Sequence, residues 1–308
     1  MAKIRAFKAI RPVRDKVHLV ATRPYYSYKK NVLKAKLEDN PFTFLHIINP
    51  EFGATIKTKP NSVERFAQVR QKFELFKQQG ILIEDQNEHI YIYRQSNEYQ
   101  SFTGFFAGVS VTDYLEGKIK IHEETLTARE DVFTKYLEVV GFNAEPVLMT
   151  YESQPELQDY LTAYAQTRAE YEFTTTDRIK HEIWLVSPTD SVAICKAFEK
   201  IEALYIADGH HRSASSVRYA QKLQEHKVQS PEAAQYFLSY LVDEKSVQIA
   251  PFHRLLKSTN GLDLKGLQAI LANEGELEQL EGACLPEKKH DIHIYMEQTW
   301  FKFKPKTS

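Results

Sequence analysis

The chain has 308 residues, of which 43% are hydrophobic and 26% are charged, a globular composition that excludes wholesale disorder. Its formal net charge of −1 argues against a broadly electropositive surface for nucleic acid, although a local basic patch is compatible with it. No signal region is visible, and no apolar run approaches the length of about 20 residues that spans a bilayer. Two distant cysteines, Cys195 and Cys284, fit a reducing compartment better than a disulfide, so we expect a soluble cytoplasmic protein.

Hydrophobic periodicity and turn residues divide the first half into short elements. The clearest is a helix over 62–80, in which Phe66, Val69, Phe73 and Phe76 recur at helical spacing before Gly80. The remaining pattern predicts, in chain order, a strand over 6–10, a polar loop around Tyr25, a helix over 32–40, a strand over 42–50, a β-hairpin over 81–95, further strands over 102–125, a helix over 129–142 and a strand over 145–153.

A new helix starting at Pro155 suggests a boundary near residue 152, between an N-terminal α+β part (1–152) and a C-terminal α/β part (153–308). One integrated domain is also compatible with the pattern. The second half predicts a hairpin over 171–188, a helix over 190–201, a strand over 203–207, a helix after Gly209, a helix ending near Leu241, a strand over 246–249, a helix over 262–275 and a hairpin over 290–305. We expect an α/β fold of the α+β type with mixed sheets rather than a doubly wound sheet.

The segment ALYIADGHHRSASSVRYAQKL, residues 203–223, is the most distinctive. An apolar strand-like run ends before Asp208, and Ala214, Val217 and Ala220 form the apolar stripe of a helix after Gly209. The first amides of a helix lack intrahelical partners and lie at its positive end, so such a junction binds anions, phosphate above all. The segment therefore predicts a phosphate site.

Within this motif, Gly209 allows close approach of the backbone, Arg212 can form a bidentate fork on phosphate, and Ser213 adds a hydroxyl donor. We assign phosphate or nucleotide binding to these three residues and to His211. His210 can carry a proton near neutral pH, and with Asp208 it is a candidate catalytic residue.

The motif also has a purely structural interpretation, in which Asp208 is an N-cap, Gly209 a turn residue and the histidines solvated surface groups. A zinc site is disfavoured because adjacent histidines point apart and the usual ligand spacings are missing, so no zinc is expected. A magnesium ion at Asp208 or Glu123 is a hypothesis, and no metal ligand is certain.

Two other segments contribute candidates. IKIHEET, residues 119–125, places His122, Glu123 and Thr125 after a strand, where Glu123 is a candidate general base; a solvated hairpin edge is the alternative. His253 and Arg254 suit a second anion, and their alternative is an ordinary surface salt bridge. Tyr25 could stack on a base or line a pocket, although packing in the core or at a pocket rim is the slightly favoured interpretation.

Seven segments resemble the family catalogued as domain of unknown function 1015, often labelled SpoOJ/ParB-like. They are FKAIRP, RPYYSY, NPFTFLHIINPE, GVSVTDYLEGKIKIHEET, EPVLMTYES, LYIADGHHRSASS and IAPFHRLLK. DGHHR is also similar to the signature of the ParB/sulfiredoxin-like fold, in which a helix N-terminus holds nucleotide phosphates, and free serine kinases of that fold carry a similar segment. The resemblance implies a ParB/sulfiredoxin-like core, ATP or ADP with Mg²⁺ as cofactor, and phosphoryl transfer to a small hydroxylated metabolite.

Two features depart from the family pattern. RPYYSY lacks the aspartate that often follows Pro-Tyr, and relatives commonly continue further, so we expect a C-terminal segment of theirs to be missing here. We expect a nucleotide-binding protein, with a small-molecule phosphotransferase as the leading hypothesis. No Walker A or protein-kinase signature occurs in the sequence, so any nucleotide chemistry would be of a non-P-loop kind. The alternatives are a ParB-like nucleotide-responsive DNA-binding protein, which the near-neutral charge disfavours, and a non-catalytic sensor of a phosphorylated metabolite.

Overall fold

The computed structural model describes residues 2–226, 232–247, 253–286 and 290–306. The chain divides into two compact units, Met1–Val247 and Gln248–Ser308. Residue 152, where the sequence suggests a boundary, lies inside the first unit directly after a strand that pairs on both sides within one sheet. The first unit therefore contains the whole N-terminal part of the sequence-based division and the C-terminal part as far as Val247, including the DGHHR segment. The last 61 residues, 248–308, form the second unit.

The first unit contains a mixed α/β arrangement. Its strands are β1 (Ile4–Arg5), β2 (Ile10–Pro12), β3 (Leu82–Glu84), β4 (Tyr91–Ser96), β5 (Ser101–Ser110), β6 (Ile119–Lys120), β7 (Val147–Tyr151), β8 (Tyr171–Thr174), β9 (Lys180–Leu185), β10 (Leu204–Asp208) and β11 (Tyr236–Asp243). Its α-helices are α1 (Val17–Val20), α2 (Lys30–Asp39), α3 (Leu45–Ile48), α4 (Val63–Gln78), α5 (Val111–Leu115), α6 (Thr127–Val140), α7 (Pro155–Ala165), α8 (Pro188–Phe198) and α9 (His210–Glu225).

The main sheet has the strand order β6-β10-β7-β11-β5-β4-β9-β8, with β1 also paired to β5. The β6–β10 and β7–β11 pairs are parallel, and the other pairs are antiparallel. This confirms the expected α/β class with a mixed sheet. The parallel β6–β10 pair brings two distant parts of the chain side by side, because Ile119 is the Cα partner of Leu204 and Lys120 that of Tyr205.

One face of the sheet packs on α7 and α8. Along β7, Val147, Met149 and Tyr151 are buried while the residues between them are half-buried, the alternation of a strand with one core face. Phe198 of α8 sits edge-on to both Tyr151 and Phe105, at ring-centroid distances of 5.0 and 5.8 Å. This core fixes the strands from which the functional segments emerge.

A second core lies under α4 and confirms the clearest helix of the sequence. Phe66, Val69, Phe73 and Phe76 are all buried in one cluster. The helix begins at Val63 because the Ser62 hydroxyl accepts the amide of Arg65, an N-cap that satisfies an otherwise unpaired donor.

Several predicted elements are wrong. The predicted strand over 42–50 is instead the short helix α3, whose turn is closed by local bonds such as the amide of Asn49 to the carbonyl of Leu45. The predicted hairpin over 81–95 does not form, since β3 pairs with β2 whereas β4 pairs with β5 and β9. Between 102 and 125, the segment Val111–Leu115 is helical.

The predicted helix ending near Leu241 is wrong as well, because Tyr236–Asp243 is the central strand β11. The strand predicted over 246–249 is not seen in its described part, because Glu244–Ser246 is a 3-10 helix. Residues 248–249 of that prediction lie outside the described residues. The hairpin over 171–188 is confirmed by the antiparallel β8–β9 pair, and the helix after Gly209 by α9.

The second unit contains α10 (Leu264–Glu274) and the strands β12 (Gly275–Leu280), β13 (Ile292–Met296) and β14 (Thr299–Pro305). The strands form an antiparallel sheet in the order β12-β14-β13, in which Phe301 and Phe303 of β14 are buried. The predicted helix and the closing hairpin are confirmed, whereas β12 had no strand prediction because GELEQL is largely polar.

Gly104 of β5 is held against β11, and we expect alanine there to be destabilising. An added Cβ would lie 2.2 Å from the backbone oxygen of Leu241, which cannot move without disturbing the central strand pair. Gly108, on the same strand, has a more tolerant environment with 3.1 Å to the Cβ of Tyr236. Urea unfolding should therefore show Gly104→Ala losing about 2–3 kcal/mol and Gly108→Ala clearly less; equal losses would contradict this packing.

Candidate functional site

The DGHHR segment forms a strand–glycine–helix junction, as the sequence predicts. Strand β10 buries Leu204 and Ile206, and its register against β7 shifts between Ile206 and Asp208. Gly209 then adopts a left-handed conformation (φ +100°, ψ 27°), and α9 begins at His210. An L side chain rarely adopts this φ, so the sharp turn from strand to helix depends on glycine at position 209.

The start of α9 is open. The carbonyl of Gly209 accepts the amides of Arg212 and Ser213 at 2.9 and 3.0 Å, and no side chain caps the helix. The structure shows no acceptor, in the part of the chain it describes, for the amides of His210 and His211. Two donors at the positive end of a 16-residue helix are thus left for an external acceptor.

Arg212 lies over the glycine turn between two carboxylates. Its guanidinium donates to Asp208 Oδ2 at 2.5 Å and to Glu145 Oε2 at 3.0 Å. A Cβ added to Gly209 would lie 2.9 Å from Arg212 Nε, so the absence of a side chain at 209 makes room for this arrangement. Asp208 is therefore an ion-pair partner and not an N-cap.

The serines of the first turns do not face outward. Ser213 donates its hydroxyl to the carbonyl of His210 at 2.9 Å and is fully buried. Ser215 and Ser216 similarly donate to the carbonyls of His211 and Arg212. The expectation that the Ser213 hydroxyl donates to an anion does not match this geometry, because its proton already serves the helix backbone.

His210 meets the segment that follows β6. It is 5% exposed, and its ring stands edge-on to that of His122 at 4.5 Å. The His122 amide donates to Nε2 of His210 at 3.5 Å, and Glu123 Oε2 lies 3.6 Å from Nδ1. The structure thus joins two sequence motifs, DGHHR and IKIHEET, because β6 and β10 pair in parallel.

Burial lowers the pKa of His210, and the neighbouring imidazoles of His122 and His211 lower it further, while Glu123 and Asp208 act in the opposite direction. The net effect favours a neutral ring. A neutral imidazole has one donor and one acceptor nitrogen, so its two contacts must be of different kinds.

His211 differs from His210 in its contacts. It is half-buried, and its Nδ1 atom is shielded from solvent without a hydrogen-bond partner in the described structure. An unsatisfied shielded polar atom is costly in a native fold and commonly marks a place for water or a ligand. His211 therefore has an unused hydrogen-bonding atom beside the open amides.

Thr125 anchors the far end of the same segment. It donates to Glu130 near the start of α6, and Glu130 in turn accepts from Arg218 of α9 at 3.4 Å. Glu130, Arg218 and Glu145 are site residues that sequence reasoning missed. Arg218 is 88 residues from Glu130, and Glu145 is 67 residues from Arg212, so no spacing rule connects these pairs.

The structure describes no contact that brings Tyr25 to this junction. Tyr25 lies in the 3-10 helix Tyr25–Ser27, about half-exposed (51%), with its ring edge-on to that of Tyr26. His253 and Arg254 are exposed residues of the second unit.

Among the residues that the structure describes, no group of three His, Cys, Asp or Glu side chains could hold a metal ion. In the same residues, no helix is both long and apolar enough to cross a membrane.

Fold and site together define an α/β chain in which a mixed sheet presents an uncapped helix start beside two histidines and an ion-paired arginine. The family model described as protein of unknown function (DUF1015) matches residues 4–308, and the chain belongs to this family. Neither the curated proteins nor the solved structures include a match to the chain.

Proposed function

We propose that this chain binds a nucleotide through its phosphates and transfers a phosphoryl group to the hydroxyl of a small metabolite. The observation that carries the proposal is the open start of α9, where the amides of His210 and His211 and the unpartnered Nδ1 of His211 lie together after a left-handed glycine. The similarity of DGHHR to the ParB/sulfiredoxin-like signature and to the segment of free serine kinases supports the same chemistry.

The phosphate side of the site uses Gly209, His211 and Arg212. The free amides can donate to an anion without competition, since the helix has no side-chain cap. Arg212 has donors beyond the two engaged by Asp208 and Glu145, and a phosphate oxygen would compete with these carboxylates for the guanidinium. The Ser213 amide is already bonded to Gly209, so Ser213 contributes to helix geometry rather than to direct phosphate contact.

The acceptor side uses Glu123, whose side chain is 64% exposed. In the transfer, the acceptor hydroxyl oxygen bonds to the terminal phosphorus as the bond from that phosphorus to the bridging oxygen breaks. The nucleotide leaves with one phosphate fewer, and the hydroxyl proton passes to Glu123. Such a reaction needs mainly positioning and charge neutralisation from the protein.

Mg²⁺ would supply charge neutralisation on the phosphates. Since no group of three potential ligands occurs in the described residues, the ion would reach the site bound to the nucleotide, with Asp208 as the neighbouring carboxylate. Magnesium commonly takes one or two protein carboxylates together with substrate phosphates, which suits this arrangement.

Nucleotide turnover tests the proposal. The protein is incubated with ATP or ADP, Mg²⁺ and a panel of hydroxy amino acids and other small alcohols, and phosphorylated product is followed by ³¹P NMR. We expect turnover that falls by about a hundredfold or more in His211→Asn, the scale of a lost acid–base or phosphate contact. His226→Asn, an exposed histidine at the other end of the same helix, is the matched control and should keep wild-type turnover.

Other outcomes separate the alternatives. Thermal stabilisation by nucleotide or inorganic phosphate without product would replace the phosphotransferase with a phosphometabolite sensor. A salt-dependent shift on DNA would favour the ParB-like regulatory alternative. Absence of nucleotide and phosphate binding altogether would overturn the proposal.

A further inference from the structure

Both ends of the segment 121–125, between β6 and α6, are tied to helix α9. At one end the His122 amide donates to His210 Nε2 at 3.5 Å. At the other end Thr125 donates to Glu130, which accepts from Arg218 at 3.4 Å. The segment carries Glu123 between these two ties, so α9 determines where that carboxylate lies.

The contact at His210 also determines which nitrogen carries its proton. A backbone amide only donates, so Nε2 must be the acceptor of the neutral ring, and the proton must be on Nδ1. Nδ1 is the atom that faces Glu123 Oε2, at 3.6 Å. The two neighbours therefore favour one and the same tautomer, because a backbone donor faces one nitrogen and a carboxylate faces the other.

We infer that His210 is a positioning residue: as its Nδ1–H tautomer it holds the 121–125 segment over the start of α9 through the His122 amide and directs Glu123 towards the site. This deepens the proposed function and rests on it for the consequence for turnover. It also changes the role of His210 from the one expected from sequence, since its basic nitrogen is occupied by the protein itself. His211, with a free Nδ1, is left as the histidine that can contact a ligand.

Nuclear magnetic resonance tests the inference on the whole chain. Long-range ¹H–¹⁵N spectra of the histidine-labelled protein, assigned with His210→Gln, report the tautomer directly. We expect Nε2 to be the unprotonated nitrogen at pH 7.5 and hydrogen-exchange protection of the His122 amide to fall by about fivefold in His210→Ala, the factor of one neutral hydrogen bond.

Two variants separate positioning from general loss of structure. His210→Gln keeps an acceptor oxygen near the Nε2 position and should recover most of the protection and of the turnover lost in His210→Ala. His122→Ala removes the imidazole but keeps the backbone amide, so it should leave the protection of that amide close to wild type. A protonated Nε2 in the wild type at pH 7.5, or unchanged protection of the His122 amide in a folded His210→Ala, would overturn the inference.

The test distinguishes this inference from the proposed function. If the tautomer and the protection behave as expected but neither nucleotide nor phosphate binds, the positioning contact stands and the proposed function fails. If nucleotide turnover occurs while Nε2 is protonated, the proposed function stands and the positioning role of His210 fails.

Discussion

Asp85→Ala is expected to lower the free energy of unfolding by about 3–5 kcal/mol, the range for breaking a buried ion pair by removal of one partner. The Asp85 side chain is 7% exposed and accepts from Arg11 Nε at 2.9 Å. It also accepts the hydroxyl of Tyr91 at 2.7 Å. Alanine at this position would leave a partly buried guanidinium and a buried phenol without their shared acceptor.

The effect should be large because this cluster connects two sheets. Arg11 belongs to β2 in the small β2–β3 sheet, whereas Tyr91 and Tyr171 belong to β4 and β8 of the main sheet. Arg11 donates to the hydroxyl of Tyr171 and to Glu170 on that side. Burial raises the pKa of Tyr91, and its bond to Asp85 raises it further, so the phenol remains a donor throughout the neutral range.

An exposed ion pair provides the matched control for Asp85→Ala. Glu156 accepts from Lys200 at 2.5 Å, but both side chains are about half-exposed or more. Glu156→Ala should therefore change the unfolding free energy by at most about 1 kcal/mol. Urea denaturation of both variants at the same pH measures the difference, and Asp85→Asn separates loss of charge from loss of volume. Similar small losses for Asp85→Ala and Glu156→Ala would show that the cluster does not couple the sheets.

The parts of the fold that sequence predicts well are those in which local pattern and burial agree. Four apolar residues at helical spacing suffice for α4, and the alternation in Tyr171–Thr174 and Lys180–Leu185 suffices for their hairpin. The sequence of β11, YFLSYLVD, is an apolar run without a decisive period, so the pattern alone wrongly predicts a helix there. Its pairing with β5 and β7, which are distant in sequence, selects the strand.

The candidate site likewise has features that local sequence predicts and features that only long-range contacts determine. The strand–glycine–helix junction depends on neighbouring residues and is visible in the sequence, whereas the contact between His210 and His122 depends on the parallel β6–β10 pair. Glu145 reaches Arg212 from the loop before β7, and nothing in its neighbourhood indicates this. The hydrogen bond from the Ser213 hydroxyl to the carbonyl of His210 depends on the side-chain rotamer, and the residue type alone does not determine that rotamer.

Gly209→Ala is expected to weaken binding of ATP and inorganic phosphate by at least about tenfold, the equivalent of 1.4 kcal/mol. Alanine at φ +100° is strained, and its Cβ would lie 2.9 Å from Arg212 Nε. Arg212 would have to leave its place over the turn, and the turn itself would relax away from the left-handed conformation. Either change moves the amides of His210 and His211, which are the donors assigned to phosphate.

Gly141→Ala controls for the backbone strain in Gly209→Ala. Gly141 is also left-handed (φ +78°) where it ends α6, and among the described residues no atom outside its chain neighbours lies within 4 Å of its added Cβ. Both substitutions should reduce stability by about 1–2 kcal/mol, the usual penalty for a left-handed L residue. Only Gly209→Ala should also reduce affinity in calorimetric titrations with ATP and phosphate. Equal affinities for the two variants would mean that the start of α9 does not hold the phosphate. Because backbone strain is common to both substitutions, a loss of affinity in Gly209→Ala alone would locate the anion at this helix start.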